Sequence, residues 1–289
     1  MNSSMINSSV SLQSLQQKLD IIAHNIANAN TLGFKRKDSN FHDVLTTALR
    51  QPKEFQQPGR LTPLGLTMGS GAKISQVQID MTQGSLLMTG NPMDVAIEGD
   101  ALFEILLTPD EMAQNGNGQN VAWTKQGSFQ YTVQPNDPDN VYLTTNAGQF
   151  VLDTNDQPVS IPKNHRIQID GVGNIMAYDE VNREAPPVYR GQLKIVHVMR
   201  PQLLEQIGDK QFVLKDGVDN ANGQILQPLD QIQGEASKVS VRQGFVEQSN
   251  VALATEMSDL ILVQRAFQLN SRALTSSDSL ANITNNLRG

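Results

Sequence analysis

The sequence predicts an α+β protein in which long N- and C-terminal α-helices, forming a coiled-coil-like helical domain, bracket a central, mainly antiparallel β domain. Two apolar stripes and one change of period predict it. Near the N-terminus Leu12, Leu15, Leu19, Ile22, Ile26 and Ala29 recur at steps of three and four. Near the C-terminus Leu253, Met257, Leu260, Val263, Phe267 and Leu274 step by three, four and seven. Such intervals return to one face of a helix. Between them the apolar residues fall into short runs punctuated by Gly, Asn, Asp and Pro, the pattern of short strands joined by turns.

Taken in order, residues 4–29 form the first helix, interrupted in its pattern only by Ser8 and Ser9. Its stop is the turn motif Asn28, Asn30, Thr31, Gly33, Phe34, in which Gly33 stands where a left-handed residue ends a helix. Gly33→Val is expected to be strained there, and Gly33→Asn to be milder because Asn enters that region more readily. Residues 1–33 are thus a helical segment that pairs with the C-terminus. Residues 34–72, with Pro52, Pro58, Pro63 and glycines 59, 65, 69 and 71, read as an extended connector. The β domain spans 73–215. Its strands are expected near 74–79, 95–97, 102–107, 128–133, 141–145, 149–152, 166–170, 174–178, 191–198 and 212–214, with one helical turn at 201–207. Residues 216–249 are a polar return connector, and 250–289 the C-terminal helical segment.

Composition excludes several function classes. The 289 residues carry 22 basic and 29 acidic side chains, a net charge of −7, which is no footprint for nucleic acid. Cysteine is absent, so there is no disulfide framework, thiolate nucleophile or zinc ribbon. No apolar run reaches the roughly 18 residues of a membrane span, and Met1 to Met5 lack the basic and apolar regions of a cleaved secretory signal. Asn and Gln, 24 and 29 of them, slightly outnumber the 22 basic and 29 acidic residues, a polar surface of low self-repulsion.

Chemistry-bearing motifs are missing. His24, His42, His165 and His197 have no ligand-spaced partners. His24 is expected at the surface or an interhelix contact, and His197 facing solvent from an apolar strand. No nucleophile elbow, phosphate loop or dinucleotide fingerprint occurs. Asn115-Gly116-Asn117-Gly118 is an ordinary loop, and Asp153-Thr154-Asn155-Asp156 lacks the Gly and Glu of a calcium loop. Asp94, Glu98, Asp100 and Glu104 are close in sequence but sit at strand ends and turns. Lys35-Arg36-Lys37 reads as a solvated patch, or as an intersubunit contact with acidic neighbours. No catalytic, cofactor-binding or metal-binding residue is therefore expected. The candidate site residues are those of the two stripes: Leu12, Leu15, Leu19, Ile22 and Ile26 with Leu253, Met257, Leu260, Val263, Phe267 and Leu274. One helix pair buries too little apolar surface to offset the ordering of its chain, so both ends are expected to fray in the monomer and to fold on assembly.

The terminal motifs carry a family resemblance. Asn25-Ile26-Ala27-Asn28-Ala29-Asn30-Thr31-Leu32-Gly33-Phe34-Lys35 resembles the N-terminal signature of bacterial flagellar rod and hook proteins. Gly244-Phe245-Val246-Glu247-Gln248-Ser249-Asn250-Val251, Glu256-Met257, Gln264-Arg265-Ala266-Phe267 and Asn270-Ser271 resemble the C-terminal one. Asp94 to Gly99 with Phe103, and Gly127-Ser128-Phe129, resemble landmarks of the family's β domain. Gly65 to Gly71 and Gln83 to Leu86 are most similar to the distal-rod branch, with the proximal-rod and hook branches as alternatives. The polar start Met1 to Ser4 and the longer stretches 108–120 and 134–140 depart from that branch's pattern.

The resemblance implies a structural subunit that self-assembles into a helical tube, transmits torque and lines an export channel. It implies copies of itself, other rod and hook subunits and the flagellar type III export apparatus as partners, with no cofactor and no small-molecule substrate. It implies residence in the flagellar basal body of the cell envelope, reached without a cleaved signal peptide.

Overall fold

Among the described residues the chain forms two long helices and a set of short antiparallel strands. The structure, a computed structural model, describes residues 3–43, 47–49, 66–68, 72–107, 120–135, 137–180, 182, 185–208, 210–215, 217–218, 220, 223–229 and 239–286. The expected Pro- and Gly-rich stretch up to residue 65, most of the loop 108–120 and residues 231–238 of the return connector lie outside them. The chain separates into two compact units: residues 1–27, 37–78 and 252–289 form one, and residues 28–36 and 79–251 the other.

In the first unit, helix α1 (Ser3–Ala27) packs against helix α2 (Leu253–Asn286). Ser8 and Ser9 do not break α1. Ser14 is accommodated on its buried face by donating its hydroxyl back to the carbonyls of Val10 and Ser11. Within the expected connector the described residues pair as strands: Lys37–Asp43 with Ala72–Ile79, and Thr47–Leu49 with Leu66–Met68. Lys18 Nζ ties α1 to the first of these through Asp38 Oδ1 and the Ser39 carbonyl, each at 3.2 Å.

The second unit is the β body. Its largest sheet runs in the order Ser160–Pro162, Asp137–Thr145, Phe150–Val151, Ala101–Leu106, Val121–Thr124, Gln211–Leu214, Leu204–Ile207, with Phe129–Gln134, Ile195–Val198 and Leu226–Pro228 attached beside it. A three-stranded sheet joins His165–Ile169, Asn174–Asp179 and Val188–Gln192. Ser240–Gln243 pairs with Val95–Glu98, and Phe245–Glu247 with Leu86–Met88.

Strand Ala101–Leu106 explains why the middle lacks clean alternation. Side chains alternate across a strand. Here Phe103 and Ile105 enter one core with Val95, Ile97, Phe129, Leu143 and Ile175. Leu102 enters a second core with Trp123, Val196, Phe212 and Leu226. A strand buried on both faces reads as a continuous apolar run. Phe103 and Phe129 meet edge to face, ring centres 5.2 Å apart.

Two expected elements differ. The expected strand 191–198 is two, Val188–Gln192 and Ile195–Val198, parted at Leu193 and Lys194. The helical turn expected over 201–207 stops at Leu203, and Leu204–Ile207 is a strand because its backbone pairs with Gln211–Leu214.

Candidate assembly site

The two terminal signatures meet at two separate clusters, one in each unit. In the helical unit the meeting point is Asn25. Its side chain is buried on α1 and pairs with the backbone of Lys37 as a strand would: Nδ2 donates to the Lys37 carbonyl at 2.9 Å, and Oδ1 accepts from the Lys37 N–H at 3.0 Å. The same Nδ2 donates to Glu256 Oε2 on α2 at 3.2 Å. One amide thus binds both helices and the strand Lys37–Asp43. Among buried groups such a satisfied contact is favourable mainly because leaving it unmade costs about 1–3 kcal/mol.

Along the helix stripe, Ile22 is buried and Leu12, Leu15, Leu19 and Ile26 are half-buried. On α2, Leu260, Val263, Phe267 and Leu274 are half-buried, whereas Leu253 and Met257 are exposed. A second apolar line lies elsewhere on α2: Leu262, Leu269 and Leu280 are 62%, 65% and 62% exposed. They recur at seven and eleven residues, intervals that return to nearly one angular position on a helix. Helix α2 is therefore apolar on one face toward α1 and on another toward solvent.

In the β body the meeting point is the helix-end turn. Thr31 donates its N–H to the Asn28 carbonyl at 3.1 Å and its hydroxyl to Asn28 Oδ1 at 3.0 Å, while Asn30 stays exposed. Gly33 adopts φ +71°, the left-handed conformation expected for it. A Cβ at Gly33 would stand 2.7 Å from Gln126 N, 2.8 Å from Gln126 Cα and 2.9 Å from Lys125 C. The left-handed conformation is only part of the cost of a side chain here, because the neighbouring backbone meets any Cβ, that of Asn as well as that of Val. Phe34 is fully buried.

Lys35 is also fully buried, and this corrects its reading as part of a solvated patch or intersubunit contact. All three of its ammonium protons have acceptors: Glu247 Oε1 at 2.7 Å, the Thr82 carbonyl at 2.8 Å and the Met81 carbonyl at 3.2 Å. Glu247 Oε1 also accepts the Gly84 N–H at 2.8 Å. Gly84 must be glycine here, since its Cβ would lie 2.1 Å from the Gln248 carbonyl oxygen. On the other side of the carboxylate, Lys125 Nζ approaches Glu247 Oε2 at 3.5 Å and donates to the carbonyls of Gly99 at 2.6 Å and Ala101 at 3.1 Å. Burial pulls the Lys125 ammonium down to about 8, with Lys35 adding to the shift and Glu247 opposing it. Beside this cluster the Gly33 N–H donates to the Glu247 carbonyl at 2.8 Å. Asn250 accepts the Arg36 N–H at 2.7 Å and donates to the Asp80 carbonyl at 2.9 Å.

Three of the four acidic residues close in sequence have separate partners. Asp94 accepts from Thr89 and Ser128, Glu98 pairs with Arg242, and Glu104 pairs with Lys194 and accepts the Trp123 indole N–H. His197 is half-buried rather than solvent-facing, because its strand pairs on both sides, with Ala101 and with Gln227. Among the described residues no group of His, Asp and Glu has metal-holding geometry.

Comparison with known proteins agrees with the two signatures. Residues 7–35 match the model of the flagella basal body rod protein family, and residues 242–287 match that of the flagellar basal body rod FlgEFG protein C-terminal. The matched stretches contain both clusters' terminal partners: Asn25, Gly33 and Lys35 in one, Glu247, Asn250 and Glu256 in the other. The flagellar hook-basal body complex protein FlhP of Bacillus subtilis is 32% identical over 99% of each chain. The flagellar basal-body rod protein FlgG of Borreliella burgdorferi is 33% identical over 94% of each, and the FlgG of Agrobacterium fabrum 32% identical over 93% of this chain and 92% of its own. Relatives about one-third identical over more than nine-tenths of the chain, with both terminal family models matched, show that the chain belongs to the flagellar basal-body rod protein family.

Proposed function

We propose that this chain is a structural subunit of the flagellar rod, of the distal-rod branch, that polymerises with copies of itself through its terminal helices. The carrying observation is the second apolar line of α2. A helix that is apolar on two faces is a helix meant to be covered twice, once by α1 and once by a neighbouring subunit. In this reading the helices build a coiled-coil-like wall around an export channel, the tube transmits torque, and the chain reaches the basal body through the flagellar export apparatus. The stripe residues Leu19, Ile22, Leu260 and Val263 join each subunit's own helices, and Leu253, Met257, Leu262 and Leu269 receive the neighbour.

The test is the double variant Leu262→Asp, Leu269→Asp. Both side chains are solvent-exposed in the single chain, so thermal unfolding of the subunit is expected to be unchanged. In a closed interface each buried carboxylate costs several kcal/mol, so polymerisation in vitro and rod assembly in a complemented deletion strain are expected to be lost. Normal polymerisation of the double variant would refute the reading.

A further inference from the structure

The geometry points to a proton latch at Lys125: with two buried ammonium groups set against one carboxylate, loss of the Lys125 proton lets the cluster tighten its hold on the turn Asn28–Arg36. The cluster carries one carboxylate for two cations, all three side chains at most 1% exposed. The two lysines are not equivalent. Lys35 holds Glu247 at 2.7 Å and spends its other protons on two carbonyls. Lys125 stands 3.5 Å from the carboxylate, and Glu247 Oε2 accepts no hydrogen bond among the described residues. The two short bonds of Lys125 go to the neutral carbonyls of Gly99 and Ala101. A neutral amine still has two protons, so it keeps both.

The charged groups that act on Lys125 come from three elements: Glu247 on the strand Phe245–Glu247, Lys35 on the turn, and Asp100 on the bend before Ala101–Leu106. Glu247 and Asp100 favour the ammonium, while burial and Lys35 oppose it and prevail, giving a value of about 8 against an ordinary 10.5. Loss of that proton removes the repulsion on Lys35 and leaves Lys35 and Glu247 as a neutral pair. The sign follows from linkage. The folded value lies below the unfolded one, so between about pH 8 and 10.5 the unfolded chain binds more protons and stability of the β body rises with pH. A gap of that size is worth up to about 300-fold in the folded-to-unfolded ratio.

The full chain, labelled with 13C at lysine Cε, is titrated by NMR from pH 6.5 to 11. One lysine is expected to titrate near pH 8, and Lys125→Met is expected to delete that signal. A wild-type spectrum in which every lysine titrates above pH 9.5 overturns the latch, whether or not the variant folds. The grip itself is read from urea unfolding followed by the fluorescence of Trp123, the single tryptophan, buried in the β body. From pH 7 to 9.5 the wild type is expected to gain at least ten-fold in folded-to-unfolded ratio over Lys125→Met. Parallel pH profiles of the two proteins overturn it.

Discussion

Gly33 separates two explanations for a glycine at a helix end, and a three-member series decides between them. If backbone conformation alone mattered, Ala would cost about 1–2 kcal/mol at φ +71° and Asn appreciably less. The β body adds a second requirement. A Cβ would come within 2.7–2.9 Å of three backbone atoms of Lys125 and Gln126. Those atoms continue the strand Val121–Thr124, which is paired on both sides and yields little. Overpacking of this kind costs about 1–3 kcal/mol, so Gly33→Ala totals roughly 2–5 kcal/mol. For a unit of this size each kcal/mol lowers the melting temperature by about 2–4 °C, hence about 4–20 °C for Ala. Trp123 fluorescence of the full chain reports the β-body transition directly. The expected order is wild type well above both variants, with Asn above Ala by no more than the ~1 kcal/mol that its tolerance of the left-handed region returns. An Asn variant melting close to wild type would show that the turn conformation, not the close approach, is what Gly33 serves, and would sink the argument.

Glu247→Gln leaves two buried ammonium groups without a counter-charge and is expected to destabilise the β body by about 3–5 kcal/mol at pH 7, seen as a fall in the Trp123 urea midpoint. A smaller loss than for Ser85→Ala, a change at an exposed hydrogen bond, would contradict the network. Asn25→Ala is expected to cost about 1–3 kcal/mol in the helical unit by stripping partners from Lys37 and Glu256, measured as earlier loss of the 222 nm helix signal while the Trp123 transition stays in place. Coincident shifts of both signals would count against a local role for Asn25.

The helices were legible because three- and four-residue spacing survives over many turns, and α1 and α2 end within three residues of the expected positions. Strands with one wet face were legible too: in His165–Ile169 only Ile167 and Ile169 are buried. Val121–Thr124 escaped because it is only four residues long and buried on nearly all of them, too short an apolar run to stand out. Leu86–Met88 and Phe245–Glu247 are too short to show one, and exist because they pair with each other. Lys35 was misread for a different reason. Its meaning depends on a carboxylate 212 residues away, and nothing local distinguishes a lysine destined for burial from a solvated one. The only signal in the sequence was the pairing of two terminal signatures, one holding a lysine and the other a glutamate.

The hydrogen bonds from Gly33 to Glu247 and from Arg36 to Asn250 have an architectural consequence. Together with the bond from Asn250 to the Asp80 carbonyl, they pin the chain where it enters the β body, at 33–36 and again after 37–78, to the strand leaving it, so the segment from Asp80 to Asn250, 170 residues on, hangs from a closed neck. Whatever is strung between can lengthen, shorten or be exchanged while both ends of the neck stay in place. The neck fixes where the body begins and ends, and leaves its outer loops free to vary in length without altering the chain's way in or out.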